Sequence, residues 1–190
     1  MAEEKRITGE DLYESAKCGS GFKVSSEPLL DKIKTLGDNI IIAEIGVCKG
    51  LGMWKMLTEC DNIGHAYGID TWWTYGSDPF KMGLKNLNIA RQSLHPFIGK
   101  NLSLIIDNST KAHEMFPDEH FDYVFIDGDH TEVGCYRDLV SWYPKVKQGG
   151  LFAGHDYKNG QGVVEAVKKF CKKNDLEFKV IEGWVWYVKK

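Results

Sequence analysis

No apolar run in this 190-residue chain approaches the ~18 residues that cross a bilayer, and the polar start Met1-Ala2-Glu3-Glu4-Lys5-Arg6 lacks a following apolar core of signal-peptide length. A cytoplasmic, unprocessed protein with no membrane partner is the expectation. Paired cysteines are missing as well. Cys18, Cys48, Cys60, Cys135 and Cys171 are odd in number, widely spaced and free of any C-x-x-C pair, which excludes a disulfide framework or a zinc knuckle and suits a reducing compartment. Nor is there an excess of positive charge: 24 Lys and Arg stand against 27 Asp and Glu, so nothing would neutralise phosphates along a nucleic acid. Repeats, low-complexity tracts and linkers are also absent. With 43% hydrophobic and 27% charged residues, the chain suits one domain over 1–190.

What is present alternates between two periods. Gly9 to Lys17 and Glu27 to Leu36 read as short helices, separated by the flexible Cys18-Gly19-Ser20-Gly21 and forming a helical N-terminal segment over 1–36. From Ile40 to Ile45 a continuous β-branched run suits a strand buried on both faces, followed by a glycine-rich turn and a helix from about Leu51 to Cys60. The unit recurs. His65–Ile69, Leu102–Ile106, Phe121–Ile126 and Leu151–Ala153 read as strands, with a helix from Asp78-Pro79 to about Leu94 after the first of these. After Phe121–Ile126 comes a helix whose spacing sets Val133, Tyr136, Leu139, Val140 and Tyr143 on one face, and a last helix buries Val163, Val164, Val167 and Phe170. Strands alternating with helices imply a parallel sheet over the 37–190 core. Leu176–Ile181 and Trp184–Val188, joined by Glu182-Gly183, add an antiparallel hairpin in which Trp184 and Trp186 share a face.

Ligands of such sheets bind beyond the carboxyl ends of the strands, and here those ends are polar. The first ends in Glu44-Ile45-Gly46-Val47-Cys48-Lys49-Gly50-Leu51-Gly52, the second in Asp70, the third in Asp107-Asn108-Ser109, the fourth in Asp127-Gly128-Asp129-His130, the fifth in His155-Asp156-Tyr157. The glycines permit a tight turn against a ligand, and Asp70, 24 residues beyond Gly46, can accept hydrogen bonds from ribose hydroxyls. The order G-x-x-x-G-x-G differs from the G-x-G-x-x-G of dinucleotide folds, and Glu44 would repel a phosphate while attracting a cationic ligand portion. An NAD-dependent oxidoreductase is therefore the weaker reading.

These residues resemble the class I S-adenosylmethionine-dependent methyltransferases, in particular the small O-methyltransferases of the catechol and macrolide-sugar type. The resemblance runs from about Ile40 to the C-terminus and is most specific in Phe125-Ile126-Asp127-Gly128-Asp129-His130 and Gly149-Gly150-Leu151-Phe152-Ala153-Gly154-His155-Asp156. It implies an α/β three-layer sandwich around a mostly parallel seven-stranded, Rossmann-like sheet. Glu44, Gly46 and Gly50 would line the methionine and ribose portion of S-adenosylmethionine, Asp70 would hold the ribose, Asn108 and Ser109 the adenine, and Asp127 would lie near the sulfonium. Asp107-Asn108-Ser109 departs from the family's more usual Gly-Asp-Ser.

Methyl transfer to a hydroxyl needs a base or a metal to activate the oxygen. His130, beside Asp127, is the candidate base. The resemblance implies a divalent-metal site, magnesium or manganese, at Asp127, His155 and Asp156, where the imidazole departs from the family's carboxylate-rich pair and shifts preference away from magnesium. The alternative is a metal-free pocket in which His155 bonds a neighbouring carboxylate. Asp129 reads as a cap. Thr71-Trp72-Trp73-Thr74-Tyr75-Gly76 would place aromatics on a loop beside the cofactor, and the N-terminal segment 1–36, hinged at Gly19-Ser20-Gly21, could close over the acceptor as a lid. The expected acceptor is a small molecule such as a sugar, polyol or phenol, in a pocket that a homodimer could complete. A cofactor-binding but inactive partner protein is the remaining alternative.

Overall fold

The computed structural model describes residues 7–11, 27–73, 78–158, 162–181 and 184–190. Thr74, Tyr75, Gly76, the Cys18–Gly21 break, most of the 10–25 segment and the Glu182-Gly183 turn lie outside them. Helix α1 (Glu27–Lys34) has Pro28 in its first turn and buries Leu29, Leu30 and Ile33. Strand β1 (Ile40–Ile45) is paired on both sides, by β2 (Ile63–Asp70) and β4 (Phe121–Ile126). Its alternation feeds two cores: Ile40 and Ile42 face one, Ala43 and Ile45 the other. The first core is covered by α1, α2 (Leu51–Glu59) and α3 (Pro79–Ser93), whose N-terminus Asp78 caps by accepting from the Lys81 amide. The second is covered by the short α4 (Ser109–Ala112), α5 (Glu132–Trp142) and α6 (Gly162–Lys173).

With β3 (Leu102–Ile106), β5 (Val146–Gly154), β6 (Lys179–Ile181) and β7 (Val185–Lys189), the sheet has seven strands in the order β3-β2-β1-β4-β5-β7-β6. The first five are parallel; β7 runs antiparallel to β5, and β6 to β7. Strand order reverses at β1, so the crevice beyond β1 and β4 is the natural ligand site.

Four expectations change. The buried face of α5 is Cys135, Asp138, Leu139 and Trp142, while Val133 and Val140 are exposed, because Trp142 turns inward and its Nε1 donates to the Ser109 carbonyl (3.2 Å). Trp184 precedes β7 and is partly exposed, so it shares no face with the buried Trp186. Trp72 is buried in the first core, leaving Trp73 as the exposed aromatic of the described part of that loop. The Gly149-Gly150 pair falls inside β5, at a register shift against β4, rather than ahead of the strand. At the N-terminus, the Ile7 amide donates to Gln92 of α3 (2.9 Å) and Gly9 lies against the Trp54 indole of α2.

Candidate active site

The turn after β1 is built from glycine because nothing larger fits. Gly46 has φ 94, its amide donates to the Ile69 carbonyl (2.8 Å), and a Cβ there would strike the Asp127 carbonyl. Asp127 in turn donates its amide to the Ile45 carbonyl (2.7 Å), so the loops after β1 and β4 are locked together. Gly50, φ 89, ends the turn as the N-cap of α2. Gly52 leaves room for the Glu44 carboxylate, which accepts from the Met53 amide in the first turn of α2.

Glu44 is buried, and its Oε2 has no hydrogen-bond partner among the described residues. Burial first, then the charges of Asp127 and Asp70, push its carboxyl well above the usual range. A donor carrying positive charge would satisfy that oxygen. Asp70, at the end of β2, accepts from the Cys48 amide through Oδ2 (2.8 Å) and from the Trp72 amide through Oδ1 (2.6 Å), while the Trp72 indole donates to the Cys48 carbonyl (2.8 Å). One carboxylate thus ties the glycine turn to the loop after β2. It keeps further lone pairs for a ligand hydroxyl.

After β3, the Asn108 side chain caps α4, accepting from the amide (2.9 Å) and hydroxyl (2.7 Å) of Thr110. The Ser109 hydroxyl donates to the buried Asp138 (2.5 Å). The side chains expected to reach adenine are thus engaged in shaping this loop.

Beyond β4 and β5, two carboxylates and two imidazoles converge. His130 Nε2 lies 3.1 Å from Asp156 Oδ2 and 3.6 Å from Asp127 Oδ1; His155 Nδ1 lies 3.4 Å and 3.7 Å from the same oxygens. Asp156 reaches them from a left-handed backbone, φ 56. Asp129 accepts from the Thr131 amide (2.8 Å), while the cap of α5 is Thr131, whose hydroxyl accepts from the Gly134 amide (3.1 Å), so Asp129 braces the capping residue and is not itself the cap. Burial raises the Asp127 carboxyl, hydrogen bonding to Asp127 raises the His130 imidazole, and hydrogen bonding from His155 lowers the Asp156 carboxyl, with Lys158 among the charges that add to the lowering. Donor atoms of Asp127, His130 and Asp156 lie within 4.8 Å of one another, a spacing that would hold a cation. The sequence marks His130 as a base; the structure also makes it a candidate ligand, which chain spacing alone does not reveal.

A doubly wound sheet with a glycine turn at its switch point, and a buried acid there whose Oε2 is unpartnered among the described residues, has the layout in which a nucleoside with a cationic part would fit. The family model of the methyltransferase domain matches residues 43–157, more than half the chain, and the chain belongs to that family. It is an S-adenosylmethionine-dependent methyltransferase. Among solved structures, an O-methyltransferase from Bacillus cereus in complex with SAH is similar with a TM-score of 0.64 at 15% identity, over 100% of this chain and 94% of that one. A precorrin-6y C5,15-methyltransferase from Geobacter metallireducens GS-15 gives 0.65 at 13% identity, over 90% and 94%. The O-methyltransferase NovP gives 0.60 at 19% identity, over 85% and 79%. These likenesses show the fold. A search among curated proteins finds no matching sequence. Among the described residues no helix is long and apolar enough to cross a membrane.

Proposed function

We propose that residues 1–190 form one cytoplasmic methyltransferase domain that transfers a methyl group to a hydroxyl of a small molecule, such as a sugar, polyol or phenol, with a divalent ion assisting. The observation that carries this reading is the convergence of Asp127, His130 and Asp156, with the Asp127 charge felt by the buried Glu44. Two of the structural neighbours are described as O-methyltransferases and one as a C-methyltransferase, so the acceptor atom is argued from the site rather than from the fold.

When bound, S-adenosylmethionine supplies a methyl group made electrophilic by its sulfonium. The unpartnered Glu44 Oε2 fits its cationic methionine portion, Gly46 and Gly50 let the backbone approach, Asp70 has lone pairs left for ribose, and Asn108 and Ser109 bound the adenine side. A divalent ion held at this cluster would supply Lewis acidity toward a hydroxyl. Asp127 and Asp156 offer it oxygen, and His130 or His155 adds nitrogen, a donor set that suits manganese better than magnesium. In a site without the ion, His130 would instead take the proton that the hydroxyl loses, with Asp127 and Asp156 stabilising the imidazolium. A second copy of the chain could wall the acceptor.

Calorimetric titration of the chelator-stripped protein with S-adenosylhomocysteine, with and without magnesium or manganese and with NAD as control, tests the cofactor assignment. Micromolar binding, about −8 kcal/mol, and none of NAD is expected. A labelled-methyl screen of hydroxylated acceptors then separates an enzyme from an inactive binder. Cofactor binding with no transfer to any hydroxyl, with or without metal, would overturn the O-methylation reading.

A further inference from the structure

Beyond Asp156 the chain turns so tightly that the Lys158 amide donates to the Asp156 carbonyl (2.7 Å), while the Tyr157 amide donates to the Trp184 carbonyl (2.9 Å). The rim that carries Asp156 is thereby pinned to the residue that enters β7. Tyr157 packs its ring against Phe178, with centroids 5.4 Å apart, which anchors the turn from below. Above it, the Lys158 ammonium lies 4.4 Å from the centre of the Trp184 ring.

Both partners of this stack face solvent. Lys158 is exposed and forms no salt bridge among the described residues, its charge reaching Asp156 only at longer range, and Trp184 is 44% exposed. Trp184 also holds φ 62, a left-handed backbone that a bulky residue rarely adopts. Core packing does not account for that strain, because Trp186, two residues on, is the tryptophan that fills the second core. The strained backbone instead holds the indole beside a cation that stands on the same turn as Asp156.

Charge gives this pair a direction. The rim at Asp127 and Asp156 is acidic, whereas Lys158 is a cation immediately beyond it. A ligand with an anionic group at one end and a neutral hydroxyl at the other would be turned by that field: the anion toward Lys158, the hydroxyl toward the carboxylates and His130. The part of the exposed indole that the Lys158 ammonium does not cover offers apolar contact for the ring between them.

We propose that Lys158 and Trp184 form an acceptor subsite for a hydroxylated ring that carries an anionic group, a carboxylate or a phosphate. The proposal deepens the methyl-transfer reading and rests on it for the word acceptor; the binding preference itself is independent of turnover. Lys158 supplies the charge and Trp184 the ring contact. The subsite selects among acceptors and takes no part in the displacement.

The test compares matched probes by ligand-detected magnetic resonance titration of the full chain saturated with S-adenosylhomocysteine: 3,4-dihydroxybenzoate against catechol, and glucose 6-phosphate against glucose. Wild-type protein should bind the anionic member of at least one pair about five- to tenfold more tightly, less so in high salt. Which pair shows the preference separates carboxylate from phosphate. Lys158→Ala should bring the ratio to about one and Lys158→Arg should keep it, while Trp184→Ala should weaken both members of the pair. Circular dichroism checks that each variant is folded. A wild-type ratio near one, a preference that survives Lys158→Ala, or no binding of any probe at millimolar concentration overturns the subsite. Failure of S-adenosylhomocysteine to bind would instead sink the cofactor assignment, and the same titrations on the unliganded protein would still decide the subsite.

Discussion

The cofactor turn and the acceptor rim each carry two carboxylates, held in opposite ways. Glu44 and Asp70 accept from backbone amides: Met53 for the first, Cys48 and Trp72 for the second. Asp127 and Asp156 are held by imidazoles, at 3.1–3.7 Å. A backbone amide neither titrates near neutral pH nor rotates away, so the first arrangement suits a ligand that never changes. An imidazole can take a proton, turn, or bind an ion. The second arrangement suits chemistry that must be switched on when an acceptor arrives.

The largest expected effect breaks the rim and leaves the turn. Asp156→Asn removes a charge from the cluster proposed to hold a cation and weakens support for His130, and should lower turnover by about 100-fold or more. Affinity for S-adenosylhomocysteine should change by less than about threefold, since Asp156 accepts none of the bonds that shape the cofactor turn. Steady-state kinetics and calorimetry on the same preparation check this. A parallel fall in both quantities would show that the two regions are one unit.

The converse substitution attacks the turn. Asp70→Ala deletes two charge-assisted hydrogen bonds, each worth about 1.5–3 kcal/mol, from loops that water can partly compensate. A loss of about 2–3 kcal/mol in S-adenosylhomocysteine affinity is expected, together with a lower melting temperature. Undiminished affinity would mean that the carboxylate only braces the loop and that the ribose is held elsewhere.

Much of this division is legible in the amino-acid order, and the reason is burial. Ile40–Ile45 has no solvent face in a parallel sheet, so its apolar run reads as a strand, and the polar residues that follow each such run are forced to the ligand end. Asp70, Asp127, His130, His155 and Asp156 are all found by that rule. It says less where a side chain is engaged elsewhere, by its own helix or by a distant segment. Asn108 and Ser109 look free in the sequence, yet the first caps its own helix and the second bonds Asp138 of α5, far along the chain. Helix α5 itself carries too many apolar residues for periodicity to choose a face; the contact of Trp142 with the Ser109 carbonyl chooses it. The burial of Trp72 depends on the Cys48 carbonyl, far back along the chain.

Asp138 lies between the two regions and gives the subtlest test of how separate they are. Its carboxyl accepts the Ser109 hydroxyl from the cofactor side, and its Oδ2 lies 3.2 Å from where a Cβ on Gly128 of the acceptor loop would stand. Only 2% of the residue is exposed, and burial pushes its carboxyl up to about 6, against the lowering effect of the Ser109 hydrogen bond. Because the folded state holds the proton more tightly than the unfolded chain, the stability this group contributes is full below about pH 4 and is lost as pH rises through about 6. Asp138→Asn keeps an acceptor for Ser109 and removes the titration. The variant should therefore gain on wild type by about 2 kcal/mol between about pH 4.5 and about pH 7, read from urea unfolding at both values. If the two proteins keep a constant difference across that range, the carboxyl is ionised throughout. The link between Ser109 and the Gly128 loop would then be a permanent charged anchor, joining the two regions more firmly than the contrast in their carboxylates suggests.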